Sequence, residues 1–218
     1  MAIKPTWILC TYRTGSTYLA SSLNSTGLFE PNFKEHFKDH QIEAGYYDKK
    51  IPKFAKVHRN LFLNLFKDKY KGIHKVNKFY PNIQFIHLRR KNIIDQTLSH
   101  YFAAICKKFV VYEKDDLKKF QNTHVEYDKK KLYNLYKVIK KNYNSWYKFL
   151  DGQNYIDVYY EDLLQKPTEK FIEILNFIGV KKAEKISIEP YNLKQSHPQK
   201  EEIKKKFTKF LKRKEKNQ

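Results

Sequence analysis

The sequence predicts an α/β fold, a single P-loop-like domain in which a parallel sheet is flanked by helices. Three observations carry that expectation. Short apolar runs of strand length alternate with longer stretches of helical periodicity. The first run empties into a polar turn holding one glycine and then into a helix, the order that gathers backbone N–H groups around a phosphate. The 218 residues show no internal repeat and no linker-like stretch, so one domain with a real core accommodates them.

The elements follow in order. Thr6-Trp-Ile-Leu-Cys10 is short and apolar, as a buried strand requires. Thr11-Tyr-Arg-Thr-Gly-Ser-Thr17 is the polar turn, and Tyr18 to Asn24 reads as a helix with Leu19, Ala20 and Leu23 apolar. Residues 28 to 50 are loop-like and rich in Phe, Lys and Asp. Phe54-Ala-Lys-Val57 is a second strand, and Asn60 to Lys69 has the pattern of an amphipathic helix. Ile83 to Leu88 is the clearest strand and runs into Arg89-Arg90-Lys91. The helix after it places Ile93, Ile94, Thr97, Leu98, Tyr101 and Phe102 on a buried side. From Asp128 to Leu150 a long helix repeats Leu132, Leu135, Tyr136, Ile139, Tyr143, Trp146, Tyr147 and Leu150, a three-four pattern that makes these aromatics core. Tyr155 to Tyr159 is another strand, and Phe171 to Ile178 a helix closed by Gly179.

Composition limits the function without choosing it. Hydrophobic residues at 41 % exclude disorder. Lys and Arg number 44 against 23 Asp and Glu, and the resulting charge of +21 concentrates anions: nucleotides, nucleic acid, acidic glycans or lipid head groups. An AT-rich coding sequence would produce the same excess of Lys, Tyr, Asn and Ile with only 6 Gly and 7 Pro. The runs Lys204-Lys205-Lys206 and Lys212-Arg213-Lys214 read as a solvated basic tail or terminal helix. Cys10 and Cys106 lie in apolar surroundings and are too few for a metal site, so free thiols in a reducing compartment are expected. No signal-peptide pattern and no apolar run of the ~18 residues a membrane span needs is present, so a soluble, cytoplasmic protein is expected.

Ligands of open parallel sheets bind beyond the carboxyl ends of the strands. Here the strands ending before Thr11, before Arg89 and before Tyr160 run into polar or basic residues. The first turn lacks the G-x-x-x-x-G-K-[ST] pattern of nucleotide kinases and offers an arginine, one glycine and hydroxyls instead. It is a cradle for a phosphate or sulfate.

Thr11 to Thr17, followed by Leu19 and Leu23, resembles the phosphosulfate-binding loop of sulfotransferases that use 3′-phosphoadenosine 5′-phosphosulfate (PAPS). The nearest form is the R-[ST]-G-S-T loop of the bacterial trehalose and lipopolysaccharide sulfotransferase family. His87-Leu-Arg-Arg-Lys-Asn92, with Gln96 and Ser99, is similar to that family's segment for the donor's 3′-phosphate; the matching pair is Arg90 and Ser99, nine residues apart. Trp146, Val158-Tyr-Tyr-Glu-Asp-Leu163, Pro167 and Ile174-Leu-Asn-Phe-Ile-Gly-Val180 resemble a third stretch of it. The likeness spans about residues 6 to 180.

The resemblance implies a transfer of a sulfuryl group from PAPS to a hydroxyl of a small acceptor, a carbohydrate or glycolipid, leaving PAP and using no metal. The amides of residues 13 to 18, with Arg13, Thr14, Gly15, Ser16, Thr17 and Tyr18, would hold the 5′-phosphosulfate. Arg13 would also stabilise charge on the bridging oxygen. Arg90 would grip the 3′-phosphate with help from Ser99, and Arg89 would face the other side of the strand. Lys194 and Gln195 would belong to a loop closing over the donor. The acceptor's proton needs a base, for which Glu35, His36 and His58 compete, with Glu35 slightly preferred. Glu161 and Asp162 read as structural, capping the helix that follows, with Tyr160 packing near the nucleotide. The remaining histidines, His40, His74, His100, His124 and His197, form no ligand set, so no metal is assigned.

Two rival classes stay in view. A kinase or NTPase lacks its lysine here. A non-catalytic nucleotide- or nucleic-acid-binding protein on the same fold would use the charge, although no nucleic-acid signature is present and none is expected as a partner. Residues 28 to 80 and 103 to 130 are expected to shape the acceptor pocket, and the short chain leaves room for a homo-oligomer.

Overall fold

The computed structural model describes residues 3–30, 32–35, 52–59, 74, 76–111, 113–188 and 195–216. Within them the chain forms two compact units. The first comprises Met1–Lys91 with Asn142–Tyr191, the second Asn92–Lys141 with Asn192–Gln218.

The first unit is a five-stranded sheet in which every neighbouring pair is parallel. Its strands are β1 (Thr6–Cys10), β2 (Lys34–Glu35), β3 (Phe54–His58), β4 (Gln84–Arg89) and β5 (Tyr155–Tyr159), in the order β2-β3-β1-β4-β5. Helices α1 (Ser16–Asn24), α5 (Tyr160–Gln165) and α6 (Pro167–Ile178) follow strands of this sheet. Between β4 and β5 the chain runs through α2 (Ile93–Ile105), α3 (Lys114–Asn122) and α4 (Lys129–Leu150). A short 3₁₀ turn (Ala183–Lys185) and α7 (Lys200–Glu215) follow α6.

Every residue of β1 is buried, which is why its sequence is an uninterrupted apolar run rather than an alternating one. Its side chains feed two cores. Ile8 and Cys10 join Leu19, Leu23, Leu163, Phe171, Ile174 and Ile178 on one face. Trp7 and Leu9 join Ala55, Val57, Phe85, Trp146, Phe149 and Leu150 on the other. The two indoles are satisfied as buried polar groups must be: Trp7 Nε1 donates to Pro52 O and Trp146 Nε1 to Cys10 O, each at 2.9 Å. Register pairs Cys10 with His58, Leu9 with His87 and Arg89 with Tyr159, so the carboxyl ends of four strands share one edge.

The second unit has a core of its own, built from Leu98, Tyr101 and Phe102 of α2, Phe120 of α3, Leu132 of α4 and Ile203, Phe207 and Leu211 of α7. Asp95 ties α2 to α7 through Lys200 and Lys204, both at 3.0 Å. Helix α4 is divided between the units, through Lys141 in the second and from Asn142 in the first.

The structure corrects several sequence expectations. Helix α1 starts at Ser16, because Gly15 at φ 90° and not Thr17 ends the turn. Helix α6 starts at Pro167, whose ring presets the dihedral of a first helical residue. The two-residue β2 and the helix α3 are additional. Tyr147 is 37 % exposed rather than core, while Phe149 is buried. Cys106 is only half-buried, whereas Cys10 is buried. The basic C-terminal run is no solvated tail: α7 buries a stripe of Ile203, Phe207 and Leu211. The helix expected over Asn60 to Lys69 lies outside the described residues. Among the described residues no helix is long and apolar enough to cross a membrane.

Candidate active site

The turn after β1 is held from within and from above. Thr14 Oγ1 donates to Thr11 O at 3.0 Å, and Arg13 takes the left-handed conformation at φ 65°, which costs a non-glycine residue about 1 kcal/mol. Gly15 then caps α1 at φ 90° and has no side chain to cover the first turn, where the N–H groups carry the positive end of the helix dipole. Tyr160, the first residue of α5, lies against this glycine so closely that a Cβ there would fall 2.1 Å from its Cδ2. The same ring meets Tyr18 edge-on at 6.1 Å and carries the Arg90 guanidinium on its face at 4.4 Å. Arg90 Nε is buried and has no hydrogen-bond partner among the described residues.

Arg13 and Arg90 repel each other across this space. Burial first, and the charge of Arg90 second, pull the Arg13 guanidinium down to about 10. A third cation comes from β3. Lys56 is buried, and its Nζ donates to Thr17 Oγ1 at 3.4 Å. The residues present therefore fit an anion carrying more than one negative group: buried guanidinium and ammonium groups, a helix start and an unsatisfied buried N–H.

His58 ends β3 two residues after Lys56. It is buried, with Nδ1 3.5 Å from Cys10 Sγ, and Tyr12 is stacked on it at 4.7 Å and 19°. Arg59 follows, its guanidinium over the Trp146 ring at 5.3 Å and pulled down to about 10 by burial. Glu35 is the register partner of Lys56 at the end of β2; its side chain, His36 and Lys194 lie outside the described residues. Ser99 on α2 and Gln195 belong to the second unit, each half-buried. Among the described residues no group of three or more His, Cys, Asp and Glu is placed to hold a metal ion.

Arg89 points away from this constellation, as strand alternation demands. Its Nε meets Asp157 at 3.1 Å, and its guanidinium lies over the rings of Tyr147 at 4.8 Å and Tyr159 at 4.7 Å. Asp157 also holds His87 Nδ1 at 2.9 Å. Burial pushes the Asp157 carboxyl up, but His87 and Arg89 together outweigh it and leave it below the usual range. Glu161 and Asp162 are structural and tie down the bend after β4. The Lys91 amide donates to Glu161 Oε2 at 3.0 Å, and Lys91 Nζ pairs with Asp162. Sequence reasoning had missed Lys56 and Arg59 as site cations. The available signal for Lys56 was its position inside an otherwise apolar strand.

The His87 pair makes the fold acid-sensitive. Burial lowers the imidazole below its ordinary value despite Asp157, and its Nε2 is buried without a hydrogen-bond partner among the described residues, so protonation would strand a donor. The unfolded chain takes up that proton below pH 6.5 and the folded chain resists it. Stability is therefore lost as pH falls through about 6.5, by up to about 1.4 kcal/mol per pH unit for this one group. His87→Gln should flatten the slope of melting temperature between pH 7 and 5. An unchanged slope would assign the acid response elsewhere, to His197 for example, which burial lowers in the same direction.

A parallel sheet, a glycine turn opening into a helix and cations from β1, β3 and β4 define an α/β protein of the P-loop-like class. Residues 43–184 match the model of the sulfotransferase family, and the chain belongs to that family. The matched stretch contains Lys56, His58 and Arg90 and begins after the Arg13 turn. Among solved structures, a sulfotransferase from Alicyclobacillus acidocaldarius aligns with 95 % of this chain and 92 % of its own, at 15 % identity and a TM-score of 0.45. No curated protein matches the sequence.

Proposed function

We propose that this sulfotransferase moves a sulfuryl group from PAPS to a hydroxyl of a small carbohydrate or glycolipid acceptor. The observation that carries the donor is the convergence of Arg13 and Arg90 beside Tyr160, two guanidiniums brought together from different strand ends. A donor with a phosphosulfate at one end and a separate 3′-phosphate would neutralise both.

Bound PAPS would supply the sulfuryl group, whose bond to the bridging phosphate oxygen breaks as the acceptor oxygen joins the sulfur. Arg13, with the amides and side chains of Thr14, Gly15, Ser16, Thr17 and Tyr18, holds the phosphosulfate in place. Lys56, reaching Thr17, adds positive charge where the bridging oxygen becomes anionic. Arg90 takes the 3′-phosphate. The resemblance alone gives Ser99, Lys194 and Gln195 their donor-binding roles. The acceptor proton passes to Glu35, His36 or His58. In favour of His58 is its place two residues after Lys56 on β3, and in favour of Glu35 its register with Lys56.

The test is thermal denaturation with PAP, using ATP and AMP as controls. PAP at a hundred times its Kd should stabilise by about 2.7 kcal/mol, a rise of roughly 5–10 °C for a chain of this size. Arg90→Ala should abolish that rise. No response to PAP, with a response to ATP or to RNA, would sink the reading in favour of a nucleotide- or nucleic-acid-binding protein.

A further inference from the structure

We infer that Tyr143 is a positioning residue for Arg90, fixing the main chain from which its guanidinium reaches the donor; this rests on the 3′-phosphate role proposed above. Strand pairing ends at Arg89 with Tyr159, so Arg90 is the first residue beyond the ladder. Its N–H donates to the Tyr143 hydroxyl at 3.1 Å. Tyr143 lies on α4, only 6 % exposed, and its ring stands edge-on to His87 at 6.2 Å and 69°. His87 is in turn anchored by Asp157 at 2.9 Å, and Asp157 also holds Arg89 at 3.1 Å.

Arg90 is thus fixed at two points. On one face of the sheet Tyr143 takes its amide, and on the other Tyr160 takes its guanidinium. A bidentate grip on a phosphate tolerates little angular error, so a backbone free to rock at the strand end would blur it. A tyrosine that merely satisfied a buried amide would matter to stability and leave ligand selectivity alone. A positioning residue would change selectivity for the 3′-phosphate in particular.

Tyr143→Phe keeps the ring and removes only the hydroxyl. Titration calorimetry should show PAP bound about 5- to 20-fold more weakly, with adenosine 5′-phosphosulfate, which lacks the 3′-phosphate, bound within twofold of wild type. In an Arg90→Ala background the same substitution should change PAP affinity less than twofold, because nothing remains to be positioned. The inference is overturned by unaltered PAP affinity, by equal losses for both ligands, or by a full loss persisting without Arg90. Should Arg90→Ala itself leave the preference for PAP over adenosine 5′-phosphosulfate intact, the Arg90 assignment fails. That result is distinguishable from a silent Tyr143→Phe beside an effective Arg90→Ala.

Discussion

Gly15→Ala is expected to destabilise the protein by about 2–4 kcal/mol, lowering its melting temperature by roughly 5–15 °C, and to remove the response to PAP. Two penalties combine. At φ +90° any L side chain is strained, and the new Cβ would lie 2.1 Å from Tyr160 Cδ2 and 2.5 Å from Cε2. The ring has little room to yield, with Arg90 on its face and Tyr18 at its edge. Gly152→Ala is the control. Its φ is +72°, but nothing lies within 4 Å of the added carbon, so it should cost about 1 kcal/mol from strain alone. Adding Tyr160→Ala to Gly15→Ala should recover part of the loss, giving a coupling in the double-mutant cycle. Purely additive effects would mean that the ring does not seal the turn.

Arg13→Gly is expected to abolish PAP binding and yet raise the melting temperature of the ligand-free protein. Holding Arg13 charged where burial and Arg90 pull its pKa down to about 10 corresponds to about 3 kcal/mol of unfavourable environment. The left-handed φ of 65° adds strain that glycine does not feel. Removing both, less the greater chain entropy of an unfolded glycine, should leave a gain of about 1–3 kcal/mol and roughly 2–12 °C. Function and stability would then trade against each other at one residue, as they do where a site holds a desolvated charge for its ligand. A lower melting temperature with PAP binding retained would place Arg13 in the scaffold rather than the site.

Much of the frame was legible because burial leaves a plain trace in sequence. Thr6-Trp-Ile-Leu-Cys10 reads as a strand since all five residues are covered. The opposed directions of Arg89 and Arg90 follow from alternation alone. Other features left weaker traces. Lys56 looks like a solvent-facing position in Phe54 to His58, and only the fold shows that its ammonium turns toward Thr17. Tyr147 belongs to the periodic face of α4 but sits at its margin, where the ring carries Arg89 instead of entering the core. In α7 the stripe of Ile203, Phe207 and Leu211 is hidden among lysines. The left-handed turn at Arg13 has no compositional cue, because arginine is not a residue that favours it. Asp157, which also holds Arg89, anchors His87 from 70 positions away, and such contacts are invisible to local pattern.

That separation bears on how the protein is made. The central strand β1 needs β3 and β4 on its two sides, and β4 in turn must wait for β5. At about 5–20 residues per second a ribosome takes roughly 4–14 s to add such a length of chain. During that interval Ile86 and Leu88 lie on a strand whose outer hydrogen-bonding edge has no partner. An unpaired apolar edge is a template for pairing with another nascent chain. Overproduction at high temperature should therefore yield aggregates nucleated at β4, and slower synthesis or a holdase chaperone should shift the product toward soluble protein.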